Sequence, residues 1–277
     1  MICLIWPPTS TRRVAAVLLA AGLAACTSTV TTSVGPVNDT ASVAKAQSPD
    51  ESDLRRRAAV RLQLASAYFA DGQYKTALEE VKRALEAEPK MAEAFNLRGL
   101  IYAALGEDGP AEESFKRALE LSPRDGDVMH NYGWFLCLNR RYPEAQALFV
   151  EALAQPKYRD ITRTMLAQGV CEARAGQLAE AERTLQRAYA IEPTSGAIAL
   201  NLAEVLFQRG EYERARFYIR RANTPPQNAT AQSLWLAARI ESRSGNQAAA
   251  NDIAQQLVSR FPKSNQAADY QLGKLRD

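Results

Sequence analysis

In 277 residues there is one histidine and there are four cysteines, so any site built from reactive side chains has few residues to draw on. Metal centres and acid–base relays need several His, Cys, Asp or Glu side chains converging from recognisable spacings. His130 stands alone, no HExxH pair occurs, and no GxxxxGK[ST] loop is present to cradle phosphate groups. The carboxylates are plentiful but fall at helical surface spacings beside cations. Glu79-Glu80 ahead of Lys82-Arg83 is one such solvated face. No catalytic residues, no metal, no cofactor and no small-molecule substrate are therefore expected, and His130 reads as a groove or surface residue. Cys137 and Cys171 are more informative, because they lie 34 residues apart. In an oxidising compartment the two thiols are expected to form a disulfide, the alternative being two separate buried thiols. Such a bridge would stabilise the fold by up to about 2–4 kcal/mol.

Export is indicated at the N-terminus. Arg12 and Arg13 precede an apolar run, Val14 to Ala25, that stops at Cys26. A basic start with a short apolar run makes an export signal and is too short to span a membrane. Leu23-Ala24-Ala25-Cys26 resembles the bacterial lipobox. That resemblance implies removal of residues 1–25, Cys3 included, and acylation of the Cys26 thiol and amine. Loss of Arg12 and Arg13, with no acid removed, takes the net charge from +3 to +1. Acyl chains contribute about 0.8 kcal/mol per buried CH₂, so three of them anchor a protein firmly. The residue after the cysteine is Thr27 and not Asp, which by resemblance to lipoprotein sorting signals favours the outer membrane, on its periplasmic face. Residues 26–52 then comprise the lipidated cysteine and a Thr/Ser-rich linker with Gly35, Pro36 and Pro49. A flexible coil of that length spans roughly 27 Å.

The remainder, residues 53–277, has a 34-residue period. Gly99, Tyr102, Gly106, Ala111, Phe115, Ala118 and Pro123 have counterparts one period earlier in Ala65, Tyr68, Gly72, Ala77, Val81, Ala84 and Pro89. Six copies can be framed, at 58–91, 92–125, 126–159, 162–195, 196–229 and 231–264, with a segment after the last that caps the array. Each copy predicts two helices of about 12–15 residues, parted by a turn at Gly72, Gly106, Gly176, Gly210 or Gly245, with Arg140 in the third copy. Small residues recur where helices must approach: Gly99, Gly133 and Gly169 on first helices, Ala77, Ala111, Ala145, Ala181, Ala215 and Ala250 on second helices. Large residues such as Phe115 and Phe149 fill the space left. Cationic and anionic residues, 34 and 31 in number, are interspersed, so no basic stripe for nucleic acid is present. Arg55-Arg56-Arg57 faces Asp50, Glu51 and Asp53 and reads as a solvated helix start.

These positions resemble the tetratricopeptide repeat family over residues 58 to 263. The resemblance implies an all-α, right-handed superhelical solenoid of six helix–turn–helix pairs that binds other proteins on its concave face. In that family the face is lined by fixed first-helix positions. Here they hold Leu62, Phe69, Asn96, Leu100, His130, Trp134, Leu138, Leu166 and Val170, followed by Arg174, Leu200, Glu204, Phe207, Trp235 and Arg239. The groove so defined is apolar with scattered charges, which suits an amphipathic helix or an extended peptide. The third copy, His130-Asn131-Tyr132-Gly133-Trp134-Phe135-Leu136-Cys137, then Arg141-Tyr142-Pro143-Glu144-Ala145, together with the lipobox, resembles PilW/PilF-type type IV pilus biogenesis lipoproteins. What that resemblance implies is a lipid-anchored outer-membrane pilotin that binds the pilus secretin subunit and promotes its localisation and multimer assembly. It also implies a cysteine pair. The alternative is a lipid-anchored periplasmic scaffold for other envelope or cell-wall assembly.

Overall fold

In a computed structural model the described residues are 49–276, so the export signal, Cys26 and most of the linker lie outside them. Thirteen α-helices follow one another: α1 (Pro49–Ala70), α2 (Tyr74–Ala87), α3 (Ala92–Leu105), α4 (Asp108–Leu121), α5 (Gly126–Leu138), α6 (Tyr142–Ala154), α7 (Ile161–Arg174), α8 (Leu178–Ile191), α9 (Gly196–Gln208), α10 (Tyr212–Ala222), α11 (Ala231–Arg243), α12 (Gln247–Arg260) and α13 (Asn265–Gln271). No strand occurs among the described residues. The chain is an all-α solenoid of six helix pairs, as the 34-residue period predicts. One boundary differs. Helix α1 begins at Pro49, four residues before the expected start of the folded region. Proline at a helix start gives up an N–H that would have no intrahelical partner, and Asp50 and Glu51 favour the first turn electrostatically.

Within each pair the two helices are antiparallel neighbours joined by a left-handed turn residue. Gly72, Gly106, Gly176, Gly210 and Gly245 have φ between 73° and 81°. Arg140 takes the same turn at φ 61°, although its Cβ makes this region unfavourable by roughly 1–2 kcal/mol. The turn still forms because the ladder around it is intact: Arg141 N–H donates to the Leu136 carbonyl at 2.9 Å, as Glu107 does to Tyr102.

The contact that holds each pair together joins the eighth residue of a repeat to the twenty-fourth. A Cβ placed on Gly99 would stand 2.7 Å from the Phe115 ring, one on Gly133 3.0 Å from Phe149, and one on Gly169 2.6 Å from Leu185. In the other three repeats the eighth residue is alanine. Ala65 packs in one core cluster with Val81, Ala203 with Ile219, and Ala238 with Ala254. The eighth residue is never larger than alanine, so the two helices can approach closely in every repeat.

Odd-numbered helices α1 to α11 also touch their odd-numbered neighbours, whereas the even-numbered helices make fewer such contacts with one another. The array therefore curves with the odd helices on the inside. Polar bonds tie the repeats from the outer side. Arg141 joins Glu112 at 2.8 Å, Arg209 and Arg214 join buried Glu182, and Arg216 joins buried Glu241 at 3.0 Å. At the far end Leu275 packs on Ala238, Ala250 and Ala254, closing the last pair.

Two stability predictions follow from these contacts. Gly99→Ala should cost about 1–3 kcal/mol by overpacking. Adding Phe115→Val, which recreates the Ala65–Val81 contact, should recover part of that loss in chemical denaturation. The second concerns Gln146 and Glu172, which occupy the positions that Arg216 and Glu241 hold two repeats later. Gln146 donates to Glu172 at 2.8 Å, but Gln146 Oε1 and Glu172 Oε2 are buried with no partner. Gln146→Arg should supply the missing donors and stabilise by about 1–3 kcal/mol; a lowered urea midpoint would contradict this account.

Candidate functional site

The inner face is built from α1, α3, α5, α7, α9 and α11. Leu62, Phe69, Asn96, Leu100, Trp134 and Leu166 lie on these helices and are half-buried, and Leu138 is 51 % exposed. Leu62 and Phe69 rest on the first-repeat core, and Leu100 and Trp134 on the core centred on Phe115 and Phe149. These side chains are held from below and present their remaining apolar surface inward.

Two expected groove residues are placed differently. His130 is 5 % exposed and Val170 2 % exposed, so neither offers a surface to a partner. The cause is a register shift. Gly99 and Gly133 are 34 residues apart but Gly133 and Gly169 are 36 apart, because two residues are added after the third repeat. Helix α7 consequently meets α5 with its side chains two positions out of step. His130, at position five, faces Thr164, at position three, and its Nδ1 lies 2.8 Å from the Thr164 hydroxyl. The Tyr158 hydroxyl sits 2.5 Å from the same oxygen. The Tyr158 ring occupies the space that a Cβ on Gly126 would fill. Burial first, then the nearby Arg163 cation, push the His130 pKa down to about 3, so the imidazole is neutral near pH 7.

The same register brings Cys137 and Cys171 together. They form a disulfide with a Cα–Cα distance of 5.8 Å, between position twelve of one first helix and position ten of the next. The inserted pair makes the bonded positions non-equivalent in their two repeats.

Polar side chains bridge the inner helices near the start of α5. Asn131 donates to Asn96 Oδ1 at 3.2 Å and accepts from Arg163 at 3.1 Å, linking α3, α5 and α7. Behind α5, Glu112 accepts from Lys116, Arg141 and Tyr132. The Lys116 hydrogen bond, followed by those of Arg141 and Tyr132, holds the Glu112 carboxyl down at about 2 against the opposing effect of burial. Helix α5 is therefore fixed by bonds to α3, α4 and α7. Nothing in the single-chain pattern announces these bonds. No group of three or more His, Cys, Asp or Glu among the described residues is arranged to hold a metal. No described helix is long and apolar enough to cross a membrane.

Comparison with known proteins agrees with this geometry. Tetratricopeptide repeat descriptions match residues 62–126 and 139–196, 172–240, 114–147 and 232–264. The crystal structure of PilW, described as a widely conserved type IV pilus biogenesis factor, is 32% identical, with a TM-score of 0.73. The match covers 77% of this chain and 98% of PilW. This chain belongs to the PilW/PilF family. A second member, the type IV pilus assembly protein PilF of Pseudomonas aeruginosa, is 26% identical over 231 residues, covering 82% of this chain and 91% of PilF. The PilF structure superposes with a TM-score of 0.68 at 25% identity, covering 80% of this chain and 99% of that one. The chain is accordingly a tetratricopeptide repeat protein of type IV pilus biogenesis, and its fold is that of a protein-interaction scaffold.

The buried histidine makes a pH prediction for this family member. The unfolded chain takes up the His130 proton near pH 6.5, whereas the folded chain resists it to about 3. Folded stability is full above that window and falls as pH drops through it, by about 1–2 kcal/mol at pH 5. Urea midpoints at pH 7.5 and pH 5 should therefore differ in the native chain, and His130→Gln should narrow the difference.

Proposed function

We propose that this chain is an outer-membrane lipoprotein that acts as a pilotin for the type IV pilus secretin. The reading is carried by one observation: similarity to a type IV pilus biogenesis factor runs through almost the whole of that factor's length, not through a shared repeat alone. The physical form of the inner face supports it. Half-buried Leu62, Leu100, Trp134 and Leu166 with exposed Leu138 make a row of apolar anchors on a rigid support. Rigid anchors bind a partner segment with little loss of their own entropy. Function in this reading is capture, with no covalent chemistry.

Acylation at Cys26 would place the array on the periplasmic face of the outer membrane. The linker would let it stand roughly 27 Å from the lipid surface. The inner face would take a segment of the secretin subunit, deliver it to the same membrane and raise its local concentration for ring assembly. Deleting the gene should remove surface pili and secretin multimers while secretin monomers persist. Normal multimers in that strain would refute the pilotin role and favour a scaffold for other envelope assembly. In the purified mature protein, Leu100→Glu should reduce secretin capture at least tenfold with helical content retained; undiminished capture would mean the contact surface lies elsewhere.

A further inference from the structure

The two ends of the array are finished differently. At the C-terminal end Leu275 packs on Ala238, Ala250 and Ala254, and α13 lies against α11 and α12. At the N-terminal end α1 has no preceding repeat to cover it. The third residue of a repeat is buried in the five later copies, as Ala94, Val128, Thr164, Ile198 and Ser233, whereas Val60 in the first copy is 58 % exposed. The tenth residue is buried as Ile101, Phe135, Cys171, Val205 and Ile240, but Ala67 is exposed. Leu64, between them, is 37 % exposed. Residues 60, 64 and 67 are three or four apart and share one side of the helix. A terminal repeat that faced only water would carry polar residues there.

The charges beside this stripe point to what covers it. Arg57 and Asp71 stand seven residues on either side of Leu64. That is two helical turns, or about 10 Å, each way. The Asp71 N–H donates to the Ala67 carbonyl at 3.0 Å, so Asp71 continues the α1 ladder past Ala70. Both side chains are exposed, and neither pairs with a charge among the described residues. The neighbouring cations are matched within the chain: Arg55 with Glu88, Arg56 with Asp53 and Arg61 with Glu80. When α1 is turned end over end about Leu64, position 57 of one copy falls opposite position 71 of the other, and the converse. A cation then meets an anion at both ends of the stripe. The face is self-complementary, as a two-fold contact between identical chains requires.

We propose that the N-terminal face of the array is an interface between two copies of this chain, with α1 packed antiparallel on the same helix of its mate about Leu64. Val60, Leu64 and Ala67 form its apolar centre, and Arg57 of each copy pairs with the partner subunit's Asp71. The second copy takes the place that a preceding repeat takes at every later junction. The far end is closed by α13 and Leu275, so assembly stops at two. The pairing goes beyond the pilotin reading and does not depend on it. Within that reading, two inner faces travel as one unit.

The test uses the full mature chain with Cys26→Ser, which leaves Cys137 and Cys171, already paired, as its cysteines. Sedimentation velocity over a concentration series should show a monomer–dimer equilibrium with a dissociation constant of about 1–100 μM, the range of a small interface. Arg57→Asp and Asp71→Arg should each weaken the dimer about tenfold or more, because each sets like charges opposite one another at both ends. The double variant Arg57→Asp/Asp71→Arg should restore it. Leu64→Asp should leave a monomer of unchanged helical content. On mild oxidation Leu64→Cys should cross-link two chains, since residues at the two-fold axis come within disulfide reach, while exposed Phe217→Cys on α10 should not. A dimer indifferent to the single charge variants, or one that the double variant fails to restore, would overturn the proposal. A monomer at every concentration would also overturn it, and would leave the face to residues 27–48 of the same chain or to another protein.

Discussion

The packing of the eighth residue of each repeat against the twenty-fourth is the constraint on which the rest of the structure depends. Two helices joined by a short turn can lie close only if the volume at this contact is right. The repeats meet the requirement in several ways, from Gly99 under Phe115 to Ala238 beside Ala254. Once each pair has a fixed separation, the surface it offers to the next pair is fixed as well. The curvature, and with it the apolar inner face, is then an accumulated result of six local solutions. A binding surface made this way is stiff because no part of it is supported by a loop.

Much of this was readable from residue types. The period, the helix pairs, the turn glycines and the small-against-large contact all depend on neighbours within one repeat, and such neighbours leave a fixed spacing. Arg140 shows how strong that information is: a residue poorly suited to a left-handed turn adopts it because the flanking helices dictate it. What the spacing does not carry is the relation between repeats once the period is interrupted. Two added residues put α7 out of step with α5, and so His130 and Val170 went inside while a groove position was expected for each. The stacking of Arg174 on Trp134 and of Arg239 on Phe207, all four named as groove residues, was not legible for the same reason. Trp134 and Arg174, or Phe207 and Arg239, meet across a repeat junction, at positions that a single-repeat frame treats as unrelated.

Charge is distributed between the two sides in a way that bears on function. The outer side joins repeats through ion pairs that include buried Glu182 and Glu241. Breaking one of these would leave a buried carboxylate without its cation, which is costly. The inner helices are joined by amides, a hydroxyl–imidazole contact and cation–ring stacking, with a long ion pair from Arg163 to Asp127 at 3.9 Å. These leave apolar surface facing inward. Stability and recognition are thereby assigned to different faces of the same helices.

The disulfide between Cys137 and Cys171 has a further consequence, set by where it lies along the chain. A linear stack of repeats can come apart at any junction, since each repeat touches only its neighbours. Here the junction between the third and fourth repeats, in the middle of the six, is covalent. The third and fourth repeats therefore stay tethered while the bond is intact, whereas every other junction is held by noncovalent contacts alone. That pair thus forms the keystone of the array.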